Sequence, residues 1–426
     1  MTRLAHRGLA ARGLAALAVS GTLLLSACVA QAPNHSGVDS AIKQFSQIKA
    51  ISVGEGPHGI TFAGGKIVNS NPRSGDISII DPATDAVIKT LSFDGGKDAN
   101  SPTQAQATKD GKYAITMDSK ANVLRVIKGE TQEVVGTVAL GKAPGSKIVW
   151  ADSNTAYVAL GAKPGETTIE PTQNVAKVTW AEGFEKPATV ERLTVNRNGA
   201  LTFSAAFVAV GGGFLAVPNA NDNSVSFVKL GESTVTTLQE GNAPGPIGIS
   251  TLNGSALLVY GNKNSNTIVV YDLNARQVLG KFEVGNTPTD LAIRADGRYA
   301  YVTCHGAGEV AIVDLGAAKL HSKVAVGRGA GTASKPVHLY MVDKPSPSQS
   351  YRLAHEGHDH EPVAQQVWVS GDGDASVTVL DAETQKAIAV ITVGNGHHKM
   401  AFTETKAYVS NISDNTVSVI YRLAIE

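Results

Sequence analysis

One unit recurs along this chain, and no other feature restricts the possible folds so far. Its fullest copies are GNTPTDLAIRADGRYAYVTCHGAGEVAIVDLGAAKLHSKVAVG (285–327) and GNGHHKMAFTETKAYVSNISDNTVSVI (394–420), with further copies at 54–93 and 241–285. Each copy reads as four short strands, A to D, with alternating apolar residues and turn residues between them. Strand A follows a G-x-x-P-x-G-like turn. Strand B resembles K-x-Y-V-S-N, strand C resembles T-V-S-V-I-D, and strand D resembles V-x-x-x-I-x-V-G. A four-stranded unit with a period of about 40–45 residues is the signature of a β-propeller. The 44 glycines suit many tight turns.

Eight A strands are expected, starting near His58, Thr103, Ser146, Ala205, Ile247, Thr289, Val337 and His398. The last copy stops after strand C. Residues 47–53 (QIKAISV) read as a strand D with no unit in front of them. Pairing with the last copy closes the ring and hides a sheet edge that would otherwise invite aggregation. The expectation is therefore all-β: an eight-bladed propeller of four-stranded blades, closed by the N-terminal strand. Seven blades is the alternative, because the third unit is irregular. At Tyr408-Val409-Ser410-Asn411 and Thr416–Ile420 the repeat resembles that of the YVTN propellers, the family of YncE-like and surface-layer proteins. The resemblance spans residues 45–426. It is specific for fold and weak for function.

The N-terminus reads as an address. Residues 1–12 are basic, residues 13–25 are apolar but short for a membrane span, and Leu25-Ser26-Ala27-Cys28 follows at once. This resembles a bacterial lipobox. It divides the chain into a signal peptide (1–27), a polar tether carrying lipidated Cys28 (28–44) and a single propeller (45–426). The expected location is the cell envelope, periplasm or surface, with the membrane reached through lipid alone. The alternative is an ordinary signal peptide cleaved near Ala27 or Ala30. Without the three arginines of the leader, 34 basic face 37 acidic side chains, which offers no electrostatic case for nucleic acid. Lipidation of Cys28 leaves Cys304 alone, so no disulfide is expected.

In a propeller, the D–A and B–C loops open on one face of the channel lined by the A strands, and the A–B and C–D loops open on the other. Four of the 11 histidines fall just before or at strand A of three consecutive blades: His58 in blade 1, His338 in blade 7, and His397 and His398 in blade 8. The B–C loops of the same face add His305 beside Cys304, and Asp372. Zinc takes three or four N, S or O ligands in a tetrahedron, and converging imidazoles suit it. Strand alternation sends His398 and Met400 one way and His397 and Lys399 the other. His398 is the channel candidate if residue 400 faces the channel.

A second cluster lies in an insertion at 344–365, between strands A and B of blade 7. There His355, Glu356, His358, Asp359, His360 and Glu361 form H-E-x-H-D-H-E between framing prolines. Such a tract can wrap a divalent ion without a preformed fold. A loose station in a loop and a tighter one at the channel resemble, in architecture only, the AztD-type propeller zinc metallochaperones. That resemblance implies delivery to the binding protein of a metal transporter. Zinc is the expected ion. Copper is the alternative, since Met341 and Met400 stand near His338 and His398.

Two other function classes stay open. An enzyme would use the channel as an oxidoreductase or hydrolase site, but the chain has neither a C-x-x-C-H nor a G-x-S-x-G motif, and no catalytic constellation emerges. A scaffold would bind another protein through the insertions at 161–174 and 344–365. The leading expectation is a monomeric, non-enzymatic metal-binding lipoprotein.

Overall fold

The computed structural model describes residues 42–93, 101–161, 174–195, 207–220, 222–329, 334–345 and 365–425. For Ser146, His397, His398, Leu423 and Ala424 it describes the backbone only. The insertion residues His355, Glu356, His358, Asp359 and His360, and Cys28, lie outside the described residues.

Eight antiparallel sheets are present, each built from four strands that follow one another in sequence or are completed by the N-terminus. The A strands are Ile60–Ala63, Gln104–Ala107, Ala143–Trp150, Ala209–Gly211, Pro244–Leu252, Pro288–Ile293, Pro336–Asp343 and His397–Phe402. They open blades 1 to 8 in that order. The irregular third unit is a complete blade, with strands Ala143–Trp150, Thr155–Gly161, Val175–Thr179 and Thr189–Leu193. Seven blades is thereby set aside. Blade 8 takes its fourth strand, Lys49–Ser52, from the N-terminus, antiparallel to Thr416–Tyr421. The chain clasps a second blade as well. Lys43–Ser46 runs parallel to Lys386–Thr392 as a fifth strand of blade 7. This strand begins inside the segment read as tether, whose polar sequence carries no alternation to reveal an edge strand.

The repeat words have physical roles. The Asn that ends strand B ties the B–C hairpin: the amide of Asn411 donates to Thr416 Oγ1 (2.9 Å) and Ser418 Oγ (2.8 Å), and Asn219 makes the same pair of bonds to Ser224 and Ser226. The hydroxyl before it reaches the next blade, as Ser410 Oγ donates to the His58 carbonyl (3.0 Å) and Thr303 Oγ1 to the Val337 carbonyl (3.2 Å). The Asp that ends strand C organises the C–D turn, where Asp272 Oδ1 accepts the Asn274 and Ala275 N–H groups at 2.8 Å. Strands B and C are buried on both faces, because each blade packs against two neighbours. Tyr301, Val310 and Ile312 of blade 6 meet Leu339, Val367 and Val369 of blade 7, and Trp368 and Val377 of blade 7 meet Met400 and Val409 of blade 8.

Candidate functional site

The A strands do not enter their blades in plain alternation. Blades 6, 7 and 8 each break register after the first residue: between Pro288 and Asp290, Pro336 and Leu339, and His397 and Met400. The residue one before the pairs Leu291↔Val302, Leu339↔Val369 and Met400↔Val409 is Asp290 at the end of its break, and His338 and Lys399 inside theirs. In blade 3 the same slot holds Lys147, one before Ile148↔Val158. Bulges re-aim side chains, and here four charged or titratable residues from four blades gather at the channel.

Asp290 is the centre of this group and is 4% exposed. Lys147 Nζ donates to its Oδ1 at 2.9 Å. The backbone N–H of Leu291 donates to the same oxygen at 2.9 Å, and His338 Nδ1 donates to Oδ2 at 3.2 Å. Burial alone would raise the Asp290 carboxyl. Lys147 and His338 outweigh it and hold the group well below the usual carboxylate range. Lys399 lines the same cavity, and burial pushes its ammonium down to about 8 while Asp290 pulls the other way. The cavity has a volume of about 520 Å³ and is lined by Lys147, Asp290 and Lys399 together with apolar residues that include Phe62, Met341 and Phe402.

The two channel histidines whose side chains are described share one feature. His338 Nδ1–H is held by the Asp290 carboxylate, and His58 Nδ1 lies 2.9 Å from the Thr103 carbonyl, which can only accept. The carboxylate keeps the proton on Nδ1 of His338, whereas Nδ1 of His58 also lies 3.2 Å from the donating amide nitrogen of Gln104, so its two contacts call for opposite tautomers. Metal-ligating imidazoles are commonly held this way, by a carboxylate or a backbone carbonyl behind them. The backbones of His397 and His398 open strand A of blade 8, between these two blades; their side chains lie outside the described residues.

Other expectations fare differently. Among the described residues no three His, Cys, Asp or Glu side chains converge as a metal group. His305 and Asp372 sit on the B–C loops of blades 6 and 7, where their backbone N–H groups donate to Thr287 and Lys335 carbonyls. Each keeps one buried atom, Nδ1 and Oδ1 respectively, without a hydrogen-bond partner among the described residues. Neither is hydrogen-bonded to the Asp290–His338 pair. Burial raises the Asp372 carboxyl to about 6, with Lys335 opposing. A register break falls between His397 and Met400, so plain alternation does not carry through this stretch, and the His398 side chain lies outside the described residues. Met400 packs at 3% exposure between blades 7 and 8, and both it and Lys399 line the cavity. Cys304 is fully buried, and burial pushes its thiol up to about 12, so it behaves as a small core residue. The insertion leaves from the opposite face, since its first residue, Lys344, pairs with Asp381 at a C–D turn (2.6 Å).

Sequence reasoning missed Asp290, Lys147 and Lys399. The signal was present in the aligned repeats, where P-T-D-L, P-V-H-L and H-H-K-M place Asp290, His338 and Lys399 in one column.

No family model matches the chain, and no curated protein matches it. Solved structures do. The dihydro-heme d1 dehydrogenase NirN, in complex with DHE, is 12% identical, with a TM-score of 0.55 over 85% of this chain and 69% of that one. Hydrazine synthase of Kuenenia stuttgartiensis is 14% identical, with a TM-score of 0.49 over 87% and 96% of the two chains. Streptogramin B lyase is 10% identical, with a TM-score of 0.49 over 87% and 96%. The shared feature is the fold. This chain is a β-propeller.

Proposed function

We propose that this propeller is an exported carrier of a transition metal, zinc first, held at the channel mouth by imidazoles of blades 1, 7 and 8. The observation that carries the reading is the hydrogen bonding of His58 and His338. Each ring has its Nδ1 against an oxygen acceptor, the Asp290 carboxylate for His338 and the Thr103 carbonyl for His58, the kind of group that orients ligating imidazoles. His397 or His398 of the intervening blade would supply further nitrogen. Asp290 acts behind His338 rather than on the metal, because both of its oxygens are already engaged. Lys399 repels a dication, which lowers affinity and suits a protein that passes its metal on. The H-E-x-H-D-H-E tract at 355–361 would be a second, looser station on the other face, and the lipobox at Cys28 would tether the whole to the envelope. The combination resembles the AztD-type metallochaperones, and a metal-transport binding protein is the partner this reading names.

Elemental analysis of the purified protein followed by zinc titration tests it. One tightly held zinc is expected, with a weaker one lost on deleting residues 355–361. Affinity should fall as pH drops from about 7.5 to about 5.5, because protons compete for imidazole. Absence of bound metal, with zinc affinity weaker than about 1 μM, would end the metal reading.

A further inference from the structure

The channel cavity carries an excess of positive charge. Asp290 is the only carboxylate among its lining residues, against two ammonium groups, Lys147 and Lys399. Both oxygens of Asp290 are occupied by Lys147, Leu291 and His338. Lys399 Nζ forms no hydrogen bond to any described residue, although its backbone is pinned by Ser410 (3.1 Å). A third cation, Lys263 on the B–C loop of blade 5, also lies within the field of Asp290. The charged lining is therefore net cationic, and an ammonium facing a confined space without a partner is costly. Phe62, Met341 and Phe402 line the same cavity. Lys399 and Phe402 are three residues apart on one strand, about 10 Å along it.

We propose that this cavity binds a small organic carboxylate, with its head between Lys147 and Lys399 and its carbon body against Phe62, Met341 and Phe402. The carboxylate gives Lys399 the charge-assisted hydrogen bond it lacks. The apolar part of the lining favours a medium-chain acid over a bare inorganic anion. The inference is independent of the metal reading, and its test contains no metal.

Calorimetric titration of the chelator-treated full chain with octanoate tests the proposal, with octanol and inorganic phosphate as controls. One octanoate per chain is expected, bound better than either control. Lys399→Met should weaken it by at least about tenfold, and Lys399→Arg should retain it. Asp290→Asn, which removes the competing negative charge, should tighten it. Thermal melts of each variant check the fold. No saturable binding below about 10 mM, phosphate or octanol binding as tightly as octanoate, or Lys399→Met behaving as the parent would each overturn the proposal.

Discussion

Asp290→Asn separates the two roles that the buried carboxylate plays, one in the fold and one behind His338. The substitution keeps shape and removes charge. It leaves the Lys147 ammonium without its ion-pair partner, and offers His338 an amide that can accept with its oxygen but not neutralise. Removing one member of a fully buried pair costs about 3–5 kcal/mol. The Lys147 side chain keeps 32% exposure, so water screens part of the loss, and about 2–3 kcal/mol is expected. The pH dependence has a definite sign. The carboxyl is held below its ordinary value of 3.8, so its contribution is complete above that value and is lost only as pH falls through the lowered one. The stability gap between parent and variant should be flat from about pH 5 to pH 8 and shrink only below about pH 4. For metal, loss of the acceptor behind a ligating imidazole costs about 10–100-fold in affinity. Urea unfolding across pH gives the first quantity, and competition with a chromophoric zinc chelator gives the second. A variant that keeps zinc affinity within about twofold of the parent would refute the role assigned to Asp290 behind His338. A stability loss below about 0.5 kcal/mol would refute the reading of the pair as buried.

Three further outcomes follow from the same structure. Asp372→Asn should stabilise the protein at pH 7 by about 1 kcal/mol, after discounting for partial exposure. Burial raises this carboxyl to about 6, so the parent is favoured below the ordinary 3.8 and penalised as pH rises through 6; the gain should vanish in melts below about pH 4. Cys304 should resist a thiol-specific reagent at about pH 8 in the native protein and react on unfolding in urea, because its thiol is buried and raised to about 12; rapid native labelling would contradict this. Ile51→Ala in the closing strand, at a side chain 5% exposed, should cost about 2–4 kcal/mol in denaturant unfolding; a loss under 1 kcal/mol would mean that the N-terminal closure contributes little.

Much of the architecture was legible because it depends on local, repeated chemistry. The alternation of strands B and C runs through the copies, with the Asn that ties the B–C hairpin in blades 1, 4, 5 and 8 and the Asp that shapes the C–D turn in blades 1, 5, 6 and 7, so blade count and closure by residues 47–53 could be counted in advance. The parallel strand Lys43–Ser46 could not. It rests on an open edge offered by blade 7 and has no pattern of its own. The site was half legible. His58 and His338 stood out as histidines in equivalent places, whereas Asp290, Lys147 and Lys399 are ordinary surface residue types until the fold removes them from water.

The sequence by itself determined the repeat, the strand order, the ring and the place of His58, His338, His397 and His398 along their blades. Only the tertiary structure decided which side chains meet. Lys147 of blade 3 reaches Asp290 of blade 6, 143 positions away, and no local pattern encodes a contact made across a channel. The register breaks at the start of the A strands decided the rest. A bulge shifts side-chain direction by one residue, and at the start of blade 8 it sets Lys399 against the cavity beside Met400, which is also packed between blades 7 and 8.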